Sequence, residues 1–514
     1  MITRRSFLEC MGGSLGPLLF AGCAAQNPHL NTADWIDPDT SQFPVYGLTQ
    51  SASGEYDFEA RIVGGIPKDL RGTLYRNGPG LFQRGNRRKR CLLDGDGMIQ
   101  AFSFAAGSVR FRNRFVRTQK YIEESRQGRF IFPTWSTQAH GSISGNMLGP
   151  SILSQANITV SEIGNKLYAF DENQKPYEMD FHTLDTITEA TLGMPGDYKF
   201  FSAHSKVDGQ TGERFLFGLE QGARTTLHLL TLDSSGCLTR YRKHVLPWPT
   251  YIHDFFASER FLVFNFHPVQ VNFLEYLSGQ KSFLDSMSWR PGDGNWVWVF
   301  DRASDQDPLR FQTDACWMWH SINAFEDKDV IVADFIGYHN PDHILGAHPA
   351  LVEIMKGRRG SYEFPGEIHR YVIELKPHRL HHDKIVAGSY EFPCINSHNL
   401  CHPYRFGYCA VKPQADPFFT GIARIDFTTC HAKTFIFNSN QFCGEPIFVP
   451  QPGHHYDAES IHEPGWILVE VYDAGTHHKS LAVFEAESLT DGPTTWIHFD
   501  RYLPLGLHGF WKQA

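Results

Sequence analysis

Four histidines sit far apart in the chain, each in its own apolar frame. His204 ends Phe201-Ser202-Ala203-His204, and His253 sits in Tyr251-Ile252-His253-Asp254. His320 follows Trp319, and His508 precedes Gly509-Phe510-Trp511. A neutral imidazole is the commonest protein ligand for a metal. Local metal motifs place two such ligands on one helix face. No pair among these four has that spacing. If they act together, they meet on an axis to which distant segments all return, and that demands a closed, repeating fold.

Three glutamates stand in matching frames. Glu172 follows Leu167-Tyr168-Ala169-Phe170-Asp171, Glu391 lies in Tyr390-Glu391-Phe392-Pro393, and Glu445 precedes Pro446-Ile447-Phe448-Val449-Pro450. A carboxylate in such surroundings is costly unless paired. Metal-bound imidazoles usually donate their second N–H to a carboxylate. The residue types therefore fit a histidine metal centre backed by glutamates. They also fit buried histidines with ordinary hydrogen bonds, in a chain that holds 26 of them. Most of the others, including His381-His382 and His477-His478, read as surface or loop residues.

The elements that must position these groups are β-rich. The chain has 514 residues, 14% of them aromatic, including 41 Phe, which favours strands and apolar cavities over a helical bundle. A net charge of -9 argues against a nucleic-acid partner. Short apolar runs recur between turn signals, as in Arg214–Gly218, Phe261–Phe264, Trp296–Phe300, Val330–Ala333, Thr434–Phe437 and Trp466–Val471. Regular short strands over so long a chain predict an all-β propeller, because a plain sandwich would be full much sooner. Two stretches, 119–157 and 271–290, break the rhythm and predict a helical or irregular cap. Phe130, Ile131, Phe132, Phe273, Leu274 and Leu277 are expected to present apolar surface around an entrance in that cap.

The N-terminus reads as a targeting segment over residues 1–25. Arg4-Arg5 precede Ser6-Phe7-Leu8 and an uncharged stretch, the pattern of a twin-arginine export signal. Leu19-Phe20-Ala21-Gly22-Cys23 resembles a lipoprotein cleavage box, and an ordinary cleaved signal is the alternative. Residues 26–54 read as an N-terminal extension and 55–514 as one domain. The ten cysteines lack paired C-x-x-C spacing, which predicts free buried thiols rather than disulfides or a zinc cluster.

Over residues 55–514 the chain resembles the carotenoid cleavage oxygenase family, which includes stilbene-cleaving dioxygenases and a retinoid isomerohydrolase. The resemblance rests on Leu74-Tyr75-Arg76-Asn77-Gly78-Pro79-Gly80, Asp94-Gly95-Asp96-Gly97-Met98-Ile99, Phe115–Thr118, Ile252–Phe255, His320 with Asn323–Glu326, Gly444–Pro450 and Leu507–Gly509. It implies a seven-bladed propeller with a dome over one face. It implies Fe(II) on the axis, held by His204, His253, His320 and His508. Glu172, Glu391 and Glu445 would each orient one ligand, leaving one histidine without a carboxylate. Four neutral imidazoles suit Fe(II) and leave octahedral positions open.

The implied activity is cleavage of a conjugated C=C bond by dioxygen, giving two carbonyl products from an apolar polyene such as an apocarotenoid. Contact with a membrane, where such a substrate dissolves, is expected. A stilbene substrate and a non-catalytic propeller that binds an apolar ligand are the rival readings. Asp171 stands where the stilbene-cleaving branch has a lysine, and is expected to repel a phenolate. The glycines of Arg76–Gly80 and Asp94–Gly97 lack phosphate-loop spacing and read as tight turns. The segment His454–Pro464 departs from the family pattern and is expected to form an altered loop.

Overall fold

The structure is a computed structural model that describes residues 43–514, apart from 140, 222–223, 359, 361–364 and 414–416. The targeting segment therefore lies outside the described residues. Seven antiparallel sheets form the seven blades of a β-propeller. Blade 1 begins at Thr159–Ile163, blade 2 at Ser205–Val207, blade 3 at Phe256–Ala257, blade 4 at Trp317–Asp327 and blade 5 at Tyr390–Ile395. Blade 6 is built around Gly465–Asp473, with Ile447–Pro450 on its inner side. Blade 7 starts at the C-terminal strand His508–Gln513.

Each blade starts at the axis and meanders outward, so the innermost strands all run in the same direction. Their first residues, and the turns that precede them, lie at one end of the ring. His204, His253, His320, Glu391, Glu445 and His508 all occupy such positions.

The ring is closed by both ends of the chain. His508–Gln513 pairs with Gly72–Leu81, in a register running from Asn77↔His508 to Gly72↔Gln513. Arg61–Gly64 adds an outer strand to blade 6 through Arg61↔His498. Packing between blades is apolar. Leu74, Phe102, Phe111, Leu468, Leu481 and Phe499 form one buried cluster where blades 6 and 7 meet.

Gly78 and Gly97 of the two family motifs are not in turns. Gly78 lies within the strand Gly72–Leu81, and Gly97 within Asp96–Ala105. They are glycines because other backbones approach closely. A Cβ on Gly78 would lie 2.9 Å from the Leu505 carbonyl oxygen, and one on Gly97 would lie 2.1 Å from that of Ala156. The packed domain also begins earlier than residue 55. The 3-10 helix Pro44–Thr49 is buried, with Val45 and Leu48 packed among Phe82, Met355, Phe442 and Tyr502.

The expected cap is present at the end where the inner strands begin. It contains the helices Gln119–Gln127, Ile143–Leu148 and Phe273–Leu277. Leu284 N–H donates to the Trp135 carbonyl at 3.0 Å, and Gln138 Nε2 donates to the Gly279 carbonyl at 2.9 Å, joining the two expected stretches. The loop after Val330–Tyr338, carrying Asp342–Leu345 and Ala350–Glu353, joins them as a third part of the cap. Leu92 N–H docks on it through the Leu351 carbonyl at 3.0 Å.

Phe130 does not line an entrance. It is buried, and its ring takes Lys89 Nζ at 4.2 Å. Ile131, Phe132, Phe273 and Leu277 are half-buried, and only Leu274 of the six is exposed. The eight cysteines from Cys91 onward are all free, and most are buried.

Trp317 is fully buried between the cap and blade 4, among Tyr251, Leu284 and Ile344. Trp317→Ala is expected to cost about 3–5 kcal/mol, the usual range for emptying so large a core site. The shift of the urea midpoint measures it.

Candidate metal centre

The structure brings His204, His253, His320 and His508 together on the axis, with one ligand nitrogen from each within 4.8 Å of all the others. Ring centroids of five of the six pairs are 4.4 to 5.3 Å apart. Each histidine comes from a different blade boundary, so the convergence is a property of the ring rather than of any local segment.

Three of the rings are held by carboxylates. His253 Nδ1 donates to Glu172 Oε2 at 2.6 Å, His320 Nδ1 to Glu391 Oε2 at 2.5 Å, and His508 Nδ1 to Glu445 Oε1 at 2.9 Å. Among the described residues no carboxylate pairs with His204. Each carboxylate selects the tautomer with its proton on Nδ1, which turns the Nε2 lone pair inward. Nε2 of His320 is buried without a hydrogen-bond partner, and Nε2 of His204 and His253 face each other at 2.9 Å. Converging nitrogen lone pairs with nothing else to satisfy them fit a cation.

The electrostatics agree. Burial, then the neighbouring His253, push His204 well below the ordinary imidazole value. Burial pushes His508 down to about 4 even though Glu445 opposes it. At His320 burial also disfavours the charge, but Glu391 outweighs it and raises the value. Burial works against ionisation of Glu391 and Glu445. The facing imidazoles, and for Glu445 also Arg76, hold both below the usual carboxylate range.

Several residues that complete the site were not singled out in the sequence. Arg76, inside the glycine-containing motif, is fully buried. Its Nη1 donates to Glu445 Oε2, its Nε to Glu470 Oε2 at 3.3 Å, and its Nη2 to the Gly506 and Leu507 carbonyls. Asp254 follows His253. Its Oδ2 accepts from Ser321 N–H at 2.8 Å and from Lys206 Nζ, tying three histidine-bearing segments together. Phe392 sits at φ 53°, inside a register shift between Glu391 and Cys394. That bulge lets the Phe392 amide donate back to Glu391 Oε2 and sets the carboxylate toward His320. An Arg as the single charge in its strand was the available signal for the first of these. Asp254 depends on contacts between blades, and Phe392 on a bulge within its own blade.

Aromatic rings wall the centre. Trp319 meets His253 edge-on at 5.0 Å, and Phe392 lies 5.6 Å from His320 and 5.5 Å from His508. A cavity of about 760 Å³ runs along the axis from the uncapped end, past Lys206, Ser321 and Phe448 to Glu445. The loop His454–Glu463 forms part of its mouth through His454 and Tyr456. Tyr456 stacks on His398 at 5.7 Å and donates to the Pro464 carbonyl at 2.7 Å.

Asp171 does not face this space in the way expected. It is buried, and it accepts the Gln155 and Glu172 amides at 2.6 and 2.7 Å. Burial raises its carboxyl to about 7. Its role is to hold the 155 segment and the turn that carries Glu172.

Comparison with known proteins agrees with this architecture. The family described as retinal pigment epithelial membrane protein (RPE65) matches residues 49–513. The chain is 29% identical to apocarotenoid-15,15'-oxygenase of Synechocystis, over 90% of this chain and 95% of that protein. It is 26% identical to lignostilbene-alpha,beta-dioxygenase isozyme III of Sphingomonas paucimobilis, over 93% and 98%. The cobalt-substituted structure of Synechocystis ACO superposes with a TM-score of 0.84 at 28% identity, covering 94% of this chain and 99% of that one.

Two measurements test the supports. Glu391→Gln is expected to weaken metal retention by roughly 10–100-fold with the fold intact, as outer partners of metal ligands do. Metal analysis after dialysis against a graded chelator reads this. Arg76→Met leaves Glu445 and Glu470 buried without its charge and is expected to cost about 3–5 kcal/mol. Double substitution with Glu445→Gln should cost less than the sum of the two single changes.

Proposed function

The chain belongs to the carotenoid cleavage oxygenase (RPE65) family, and from that premise we propose that it is an Fe(II) dioxygenase that splits a conjugated C=C bond of an apocarotenoid. The observation that carries this reading is the cluster of four histidines on the axis, three of them fixed by buried carboxylates. His204, His253, His320 and His508 would hold the metal. An all-imidazole set suits Fe(II) and gives it no negative ligand. When bound, Fe(II) supplies the electrons that make dioxygen reactive toward an alkene.

The protein's own residues do the rest. Glu172, Glu391 and Glu445 hold the Nδ1 protons and keep the Nε2 lone pairs aimed at the centre. Arg76 keeps Glu445 ionised and fixed. Trp319 and Phe392 exclude water and offer flat apolar faces against which a polyene can lie. The overall change consumes one alkene and one dioxygen and yields two carbonyl compounds.

The similarity to an enzyme named for apocarotenoids supports the polyene reading. Since Asp171 is engaged with backbone amides, it neither admits nor repels a phenolic substrate directly. Iron-loaded protein is expected to convert apocarotenals to two shorter carbonyl products, identified by mass. It should do so faster than it cleaves hydroxystilbenes, and His320→Ala should lose iron and turnover together. Preference for the stilbenes would replace the polyene by a phenylpropanoid as substrate.

The same reading places the enzyme outside the cytoplasm, at a membrane, through the Arg4-Arg5 signal and a lipid on Cys23. Exposed Ile122, Leu148 and Leu274 on the cap support a membrane-facing surface. Among the described residues no helix is long and apolar enough to cross a membrane. Replacing these three by Ser is expected to slow turnover of bilayer-dissolved substrate more than that of detergent-dispersed substrate. Equal slowing would remove the membrane role.

A further inference from the structure

A second group of metal-ligating side chains lies away from the axis, where blade 3 passes into blade 4. Cys316 stands just before the inner strand Trp317–Asp327, His369 lies on Glu367–Glu374, and His382 on Arg379–Val386. The ligand atoms of the three lie within 4.8 Å of one another. Tyr371 pairs with His382 and His369 with Lys384, so the two histidines are diagonal neighbours on one face of the blade. His382 is thus not the surface residue that its sequence context suggests. It is half-buried against Phe335 and Tyr371.

The group is held in place. Cys316 N–H donates to Asn295 Oδ1 at 3.0 Å, and Asn295 Nδ2 donates back to the Cys316 carbonyl at 2.7 Å. His369 Nδ1 and His382 Nε2 face each other at 2.9 Å. The other nitrogen of His382 meets Thr313 Oγ1 at 3.4 Å, which can fix the ring's tautomer. Gly337 makes the approach possible. A Cβ there would lie 2.5 Å from His369 Cδ2 and 2.8 Å from Cys316 Sγ. Burial keeps both imidazoles neutral, with His369 pushed down to about 4.

We propose that Cys316, His369 and His382 form a second metal site, one that contains sulfur and takes a thiophilic cation of the zinc(II) class. A thiolate with two imidazoles is a donor set that zinc accepts in tetrahedral sites with a fourth ligand from outside. Binding releases the Cys316 thiol proton to solvent, and the cation takes its place. The axial centre has four nitrogens and no sulfur, so the two sites select different metals by softness. A cation here ties the crossover from blade 3 to the two outer strands of blade 4.

Cobalt(II) tests this in the full-length protein, because a thiolate ligand gives cobalt a near-ultraviolet charge-transfer band that an all-imidazole site cannot give. Titration is expected to produce that band, and added zinc(II) should erase it. Cys316→Ser should abolish the band. His382→Gln, at a half-buried position, should weaken cobalt binding by at least about tenfold, since even outer partners of a metal cost 10–100-fold. His320→Ala should leave the band intact, so failure of the axial assignment and failure of this one are separable. Absence of the band in the unmodified protein, or its survival in Cys316→Ser, would overturn the proposal.

Discussion

Ring closure is the constraint on which the rest of the molecule depends. A propeller blade presents its inner strand to the axis only if the neighbouring blades hold it there. The last gap is filled by His508–Gln513 pairing with Gly72–Leu81, which joins the two ends of the chain. The same ladder places His508 opposite Asn77 and next to Arg76. Closure and assembly of the centre are therefore one event: the strand that completes the ring also delivers the fourth imidazole.

Closure also solves an electrostatic problem. Carboxylates buried near the axis would be costly alone. Glu445 is shared between His508 and Arg76, and Arg76 also meets Glu470, which in turn takes Lys479. All four of the last-named groups are buried, and each charge has an opposite neighbour. The network runs from the metal centre into the wall between blades 6 and 7. Glu172 and Glu391 lack an arginine and rely on their histidines and on backbone or hydroxyl donors. The three supports of the centre are therefore not equivalent: Glu445 is anchored to the closing seam, Glu391 to the bulge in its own inner strand, and Glu172 to the turn after the second strand of its blade.

The cap serves the same end from above. Its segments are irregular because each must leave a blade, cross the mouth of the ring and return. They hold together by contacts such as Leu284 on Trp135 and Leu92 on Leu351, rather than by repeating secondary structure. Trp319 and Tyr251 project into this layer from the histidine-bearing segments themselves.

The sequence by itself determined the β rhythm and the free state of the thiols, and it offered the four histidines and three glutamates as candidates that only the resemblance turned into a ligand set. Each of these is written in local residue type: short apolar runs, charges placed where burial is costly, and cysteines without paired spacing. The count of blades was not local, and it came only through the resemblance. Tertiary structure alone decided the roles that depend on neighbours from separate segments of the chain. Asp171 looks like a free charge beside Glu172, yet it is spent on the Gln155 amide. Gly78 and Gly97 look like turn residues, yet they lie in strands and are small because Leu505 and Ala156 press on them. Phe130 looks like an exposed apolar residue, yet it lies under Lys89. His382 and Cys316 have nothing in their flanking sequence to join them. The reason is common to all: a residue's type records what it can do, but the partner that decides what it does lies in a separate segment that only the fold brings alongside.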